Sequence, residues 1–229
     1  MGHSTSRGHI SYRGPDGAER GREWFHVTTA PDGSRMMRTT SEIDDSAILR
    51  DVVLTVGSDW RPREAYVRVS VNDALIGAGW FEFDEDQASA ELRSVELGRL
   101  SQVLATDGRA PMFGAHQVAG DGWQAALLGL DQADGDRQQV AGILLSSPLP
   151  NGASGPMLAT TRMAAERLGS ERITVPAGTF DTVRYRFRPV GLEPEDVWVL
   201  PDDWTLVRSS WAHYNTTYEL AELVRDGGS

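Results

Sequence analysis

The chain has 229 residues, 40% apolar and 24% charged, with a formal net charge of -11, no cysteine, and 22 basic residues that are all arginine. Without lysine there is no Schiff base, no pyridoxal-phosphate anchor and no P-loop lysine; without cysteine there is no thiolate catalysis and no thiolate-bound zinc. The acidic charge is spread over the whole length with no basic cluster, which disfavours nucleic acid and anionic membrane surfaces as partners.

Residues 1–21 are rich in Gly, Arg and Ser and are expected to be a flexible leading segment, with residues 22–229 forming one domain. No apolar stretch of secretory type stands near Met1, so a cytoplasmic chain is expected, in keeping with the missing cysteines. Runs such as 140–145 are far shorter than the roughly 20 residues that cross a bilayer. From Trp24 the pattern reads as two strands, 24–29 and 36–43, joined by a Pro31-Asp32-Gly33-Ser34 turn. Residues 48–56 are β-branched and read as the next strand. Two more, 65–71 and 76–83, flank an Asn72-Asp73 turn, with Gly77 and Gly79 on one face of the second, where paired glycines signal curvature or close backbone approach.

Residues 88–95 read as a short strand and 97–113 as irregular. Residues 116–130 are the best helix candidate, with Asp121 as a cap. Residues 131–139 are a polar turn region, and 148–156 read as a long exposed loop, either a boundary or a lid. The strand pattern returns at 159–168, 171–175, 179–188, 196–200 and 205–223, the last long enough for two strands or one bent one. About ten strands in meander order against one short helix predict a mainly β, antiparallel, closed or half-open barrel enclosing a small apolar cavity.

The C-terminal third carries Val175-Pro176-Ala177-Gly178-Thr179-Phe180-Asp181, followed by Trp198-Val199-Leu200-Pro201-Asp202. This resembles a group of bacterial β-rich domains with a V-x-A-G-T-F-D signature over residues 160–223. The resemblance implies a calycin or lipocalin-like, or lipoprotein-carrier-like, shape and brings no catalytic residue with it. Physically, Ala177-Gly178-Thr179 supplies a tight turn and Phe180 fills the core beside it.

The five histidines include two in the leading segment, His3 and His9. The other three, His26, His116 and His213, show no metal-ligand spacing, so no metal site is expected, and no cofactor. His116 stands just ahead of the helix and near Asp121, where a carboxylate could orient the imidazole as a general base; the plainer alternative is a capping or exposed loop histidine. His26 shares a face with Trp24, and His213 with Trp211. Alternation puts Arg50 and Asp51 on opposite faces, so one of them points inward and needs a partner or a function. Tyr66 and Tyr214 are candidate phenol donors. The catalytic candidates are therefore His116, His26, Asp51, Asp121, Tyr66 and His213, and the substrate-binding candidates are Arg50, Trp24, Trp80, Trp123, Trp211 and Tyr214. Most tryptophans are expected in the core, and any that line the cavity favour flat aromatic or terpenoid ligands. Arg184, Arg186 and Arg188 share a wet outer face beside neighbouring acids. No G-x-S-x-G elbow supports serine hydrolase chemistry.

By elimination, the leading expectation is a cofactor-independent acid–base enzyme (lyase, isomerase, decarboxylase or cyclase) acting on an apolar aromatic or isoprenoid small molecule. The alternative is a non-catalytic binding or carrier protein for a hydrophobic small molecule. A homodimer is left open.

Overall fold

The period-two pattern forms strands wherever one face must be hidden from water. A computed structural model of the chain describes residues 2–129 and 132–226. In β4 (Ile48–Val56) the residues Ile48, Arg50, Val52, Leu54 and Val56 are buried, and their neighbours face outward. β2 (Glu19–Thr29) and β3 (Arg35–Ile43) form the expected hairpin, its turn fixed by Asp32 Oδ1 accepting the Ser34 N–H at 2.9 Å. β5 (Pro62–Val71) and β6 (Ala74–Phe83) are joined by Asn72 and Asp73 at φ 50 and 61, the left-handed pair of a type I′ turn. Gly77 and Gly79 face inward, as the curvature argument requires: a Cβ on Gly77 would meet Arg93 O at 2.6 Å.

The other strands are β1 (Ser4–Arg13), β7 (Gln87–Ser94), β8 (Gly98–Ala105), β9 (Phe113–Gly114), β10 (Arg137–Leu145), β11 (Ala159–Val175), β12 (Gly178–Pro189), β13 (Glu195–Val199), β14 (Leu206–Trp211) and β15 (Thr216–Asp226). All fifteen belong to one sheet, ordered β8-β7-β6-β5-β4-β3-β2-β1-β15-β14-β13-β12-β11-β10-β9. Every ladder is antiparallel except the short parallel pairing of β9 with β10. The expected barrel of about ten strands is thus corrected in number and in closure, because the end strands β8 and β9 share no ladder. The sheet still curls round one core. Phe113 of β9 packs on Phe81 and Phe83 of β6 with ring centroids 4.9 and 4.8 Å apart, and the Leu158 N–H donates to Gln102 Oε1 of β8 at 2.8 Å.

Several elements depart from the linear reading. The leading segment is not loose: β1 lies in the middle of the sheet between β2 and β15, with Ile10 and Tyr12 buried. Its inward anchors are diluted by Gly, Arg and Ser, which hides the alternation. β8 falls in the stretch read as irregular; it is an edge strand with alternate residues exposed, so its apolar signal is weak. The two strands expected over 159–175 are one, β11, its register shifting between Arg167 and Gly169, with Gly169 at φ +110. Residues 205–223 are two strands, separated by a 3-10 turn at Ala212–Tyr214.

The signature hairpin turns at Pro176-Ala177 between the paired residues Val175 and Gly178, and the Ala177 N–H donates to Leu220 O at 3.0 Å, so the tip docks on β15. Phe180 is half-buried against the core rather than sealed in it. On the outer face Arg184 and Arg186 both bind Asp196, and Arg188 lies 3.7 Å from Glu166.

The helix is shorter than its apolar run: α1 spans Gly120–Ala126, and Leu130 and Asp131 lie outside the described residues. Its N-terminal residue Ala119 has no capping side chain, and Asp121 sits inside the first turn instead of capping it. Gly122 is where α1 meets the sheet, since a Cβ there would lie 2.1 Å from Trp204 O. Because that neighbour is backbone, Gly122→Ala is expected to lower unfolding free energy by about 3 kcal/mol with the strand content intact, measured by urea denaturation. An unchanged midpoint would mean that α1 does not dock this tightly.

Candidate active site

Inward-facing polar residues gather at one end of the curled sheet. Glu23 follows Gly21 and precedes Phe25 on the buried face of β2, and its side chain is 0% exposed. Such a carboxylate must be met by donors. It accepts from Tyr12 Oη (2.9 Å), Ser41 Oγ (2.7 Å), the Val118 N–H (3.0 Å) and the Ala119 N–H (2.8 Å). Glu23 therefore provides the cap that α1 lacks, from a distant strand. Burial raises its carboxyl pKa, and these hydrogen bonds pull it back.

Arg50 of β4 is the member of the Arg50–Asp51 pair that points inward, and it is 2% exposed. Its guanidinium donates to the carbonyls of His116 and Asn151, tying the turn before α1 and the 148–156 loop to the sheet. That loop is thus a strap rather than a free lid. Its Gly152, at φ +66, lies where a Cβ would meet Arg50 Nη2 at 2.6 Å and the His116 ring at 2.8 Å.

Between these anchors opens a cleft of about 400 Å³. Its walls include Tyr12, Arg50, His116, Gln117, Asp121, Phe187, Glu195, Trp211, Tyr214 and Tyr218. Asp121 of α1 and Glu195 of β13 both line it; Asp121 Oδ1 accepts from Gln124 Nε2 at 2.9 Å, Glu195 accepts from Ser209 Oγ, and each carboxyl acts on the other's titration. Desolvation, then the charges of Glu195 and Glu23, hold Asp121 well above the usual carboxylate range. Glu195 is pushed up to about 7 by burial, against the pull of hydrogen bonds from Ser209 Oγ and Asp121. Two carboxyls lining the same partly desolvated wall cannot both ionise cheaply, so both are held more protonated than free carboxyls would be. Tyr218 packs edge-on against Tyr12 at 4.8 Å, and burial together with the Glu195 and Asp121 charges raises its phenol pKa.

Of the residues expected from the sequence, Arg50, His116, Asp121, Trp211 and Tyr214 meet in this cleft. His116 is in place but is not a free base. Burial and then the Arg50 charge push it down to about 3, and the ring nitrogens face the Ser147 and Pro150 carbonyls, with Nε2 at 3.3 Å from Ser147 O. At neutral pH it is a neutral strut. The remaining candidates lie elsewhere. His26 and Trp24 are on the outer face of β2, where His26 stands between Arg7 and Arg38 of the flanking strands and Trp24, 42% exposed, stacks on His9. Asp51 faces outward, binding Thr40 Oγ1 and lying 3.5 Å from Arg68. Tyr66 and Trp80 are opposite one another on the outer face of β5 and β6, Trp80 at 43% exposure. His213 is exposed in the 3-10 turn, against Trp211. Trp123 faces the other end of the sheet, edge-on to Trp60 at 5.9 Å, beside a smaller cavity of about 250 Å³. In each outer-face case the side chain shares an alternation phase with polar neighbours, and the buried phase was occupied by the residue next to it.

Glu23 and Glu195 are the functional residues that sequence reasoning missed. A signal existed: Gly21-Glu23-Phe25 and Glu195-Val197-Val199 each place a glutamate in the inward phase.

No protein-family model matches the chain, and no curated protein matches it. Among solved structures it is similar to a beta-barrel-like protein of the domain of unknown function DUF1849 from Brucella abortus, with a TM-score of 0.61 and 8% identity over 98% of both chains. A DUF1089 family protein from Pseudomonas aeruginosa is more distant, with a TM-score of 0.46 and 13% identity over 81% of this chain and 87% of that one. At 8% identity the first likeness is one of fold alone, and it defines the class: a β-barrel-like, mostly antiparallel β protein.

The proton held by Glu195 has a measurable signature. Glu195 binds its proton more tightly folded than unfolded, so its stabilising contribution is complete below about pH 4.5 and is lost as pH rises through about 7. Glu195→Gln cannot titrate. Its stability relative to the wild type is expected to rise between pH 5 and pH 8, by on the order of 2–3 kcal/mol, in denaturant titrations across that range. A constant offset would show that Glu195 holds no such proton.

Proposed function

We propose that the chain is an acid–base enzyme working without a cofactor on a small apolar molecule, aromatic or isoprenoid, held in the cleft. The reaction would be a lyase, isomerase, decarboxylase or cyclase step, in which proton transfer is the main task. The observation that carries this reading is the Asp121–Glu195 pair: two acids lining one cleft walled by Phe187, Trp211, Tyr214 and Tyr218, both carboxyls pushed up by burial, Glu195 to about 7. Acid–base groups are most effective when their pKa lies near the working pH, and burial is the usual way to bring a carboxyl there. In this reading Asp121 carries the proton to be donated and Glu195 is the base. Tyr218 orients a polar group of the substrate. His116 and Arg50 hold the walls in place.

A carrier is the second reading, and one observation favours it: Glu23, Arg50 and His116 are all engaged by the protein's own backbone or side chains. The two readings separate on turnover. The molecule that copurifies with the protein is to be identified by native mass spectrometry, then incubated with wild type, Asp121→Asn and Glu195→Gln. An enzyme is expected to convert it, with kcat lowered by about 10²–10⁴ in either variant. Recovery of the unaltered molecule from wild type, with equal binding by all three proteins, would leave the carrier.

A further inference from the structure

The protein's own cations do not balance the charge of this cleft. Arg20, at the mouth, is ion-paired with Asp45, and the carboxylate acting on Arg50 is Glu23. The charged neighbours acting on the acid pair are themselves acids: Glu195 and Glu23 on Asp121, and Asp196 on Glu195. A proton therefore does the work that a cation would do elsewhere.

Two further features point to what could replace that proton. Gln117, 3% exposed, lines the same cleft, and its Oε1 accepts no hydrogen bond among the described residues. A buried acceptor left without a donor is uncommon, so it is the mark of a missing partner. The walls beside the pair are also aromatic. Trp211 is the register partner of Glu195 across the β13–β14 ladder, and its ring meets Tyr214 edge-on at 4.9 Å. Aromatic faces beside carboxylates attract organic cations.

On the reading that this cleft is the working site, we propose that its ligand carries a primary ammonium on an apolar or aromatic body. The ammonium replaces the proton that Glu195 holds beside Asp121 and donates to Gln117 Oε1. The bound ammonium keeps its three N–H bonds, one proton leaves Glu195 for the buffer, and Asp121 keeps its own proton, so the Glu195 carboxylate faces the ligand's charge.

Binding is then linked to pH through the pair, since cation and proton compete. The groups that face the pair are Glu23 from β2, Gln124 from α1, Ser209 from β14 and Tyr218 from β15, while Asp196 acts on Glu195 from the opposite face of β13. Arg50 and Arg20 act on the neighbouring Tyr214, and His116 stays neutral.

The test is isothermal titration of the full chain with benzylammonium and with benzyl alcohol, its neutral counterpart, at pH 6 and pH 8, in buffers of different ionisation heat. Saturable binding of benzylammonium is expected, about tenfold tighter at pH 8 than at pH 6, with close to one proton released per ligand at pH 6. Benzyl alcohol should bind at least tenfold more weakly. The Asp121→Asn/Glu195→Gln double variant should lose both the pH dependence and the preference for the amine. Equal affinity for amine and alcohol, binding without proton release, or no saturable binding of the amine would each overturn the proposal, and these wild-type measurements stand even if the variant fails to fold. If the amine does not bind while the copurified molecule is still converted, the ammonium is wrong and the acid–base reading survives. Binding with proton release but no conversion of that molecule is the reverse outcome.

Discussion

A carboxylate with no access to water organises this molecule. Glu23 sits on the inward face of the second strand, and its four donors come from β1, β3 and the turn that opens α1. Charge-assisted hydrogen bonds in a low dielectric are strong, and leaving any of them unmade is costly, so the carboxylate fixes the approach of α1 to the sheet. Arg50 performs the complementary task from β4 by holding the carbonyls of His116 and Asn151. Together the two charges pin non-strand segments across the open end of the curled sheet, and the cleft is what remains between them.

Neighbouring acids have opposite fates for reasons of geometry. Glu23 is surrounded by donors that do not titrate at neutral pH, so its charge is satisfied in place. Asp121 and Glu195 are brought to one cleft from α1 and β13, each with a single neutral side-chain donor, Gln124 for Asp121 and Ser209 for Glu195. Burial and their mutual repulsion raise both pKa values, so protons are held where a cation would otherwise be needed. A fold that needed only rigidity would gain from apolar residues at these two positions.

Much of the strand pattern was legible along the chain. β2 to β7 follow directly from alternation and turn chemistry, with Asn72-Asp73 and Asp32-Gly33 marking the hairpins. The curvature expected from Gly77 and Gly79 is present, and one charged residue of the Arg50–Asp51 pair does point inward. β1 and β8 were hidden because their outward neighbours are polar or glycine and their apolar anchors few. The helix was overextended because the apolar run 125–128 continues past the point where the chain turns. For the site, Arg50, His116, Asp121, Trp211 and Tyr214 were legible as inward or cavity-edge residues, whereas Trp24, Trp80, Tyr66 and His26 belong to outer faces that alternation alone cannot orient. Glu23 and Glu195 were overlooked because a glutamate in a strand is ordinarily the wet phase.

The sequence by itself determined that this is an acidic, lysine-free and cysteine-free, mainly β protein whose acid–base groups are limited to carboxylates, phenols and a few histidines. Those facts depend on composition and on a period of two, both of which are local. Tertiary structure alone decided which of those groups meet. Asp121 and Glu195 are far apart in the chain and are brought to one cleft by the curl of the sheet; His116 lost its basicity to burial first and then to Arg50, which reaches it from β4. Proximity, burial and the field of distant charges set a pKa, and none of the three is written in local sequence.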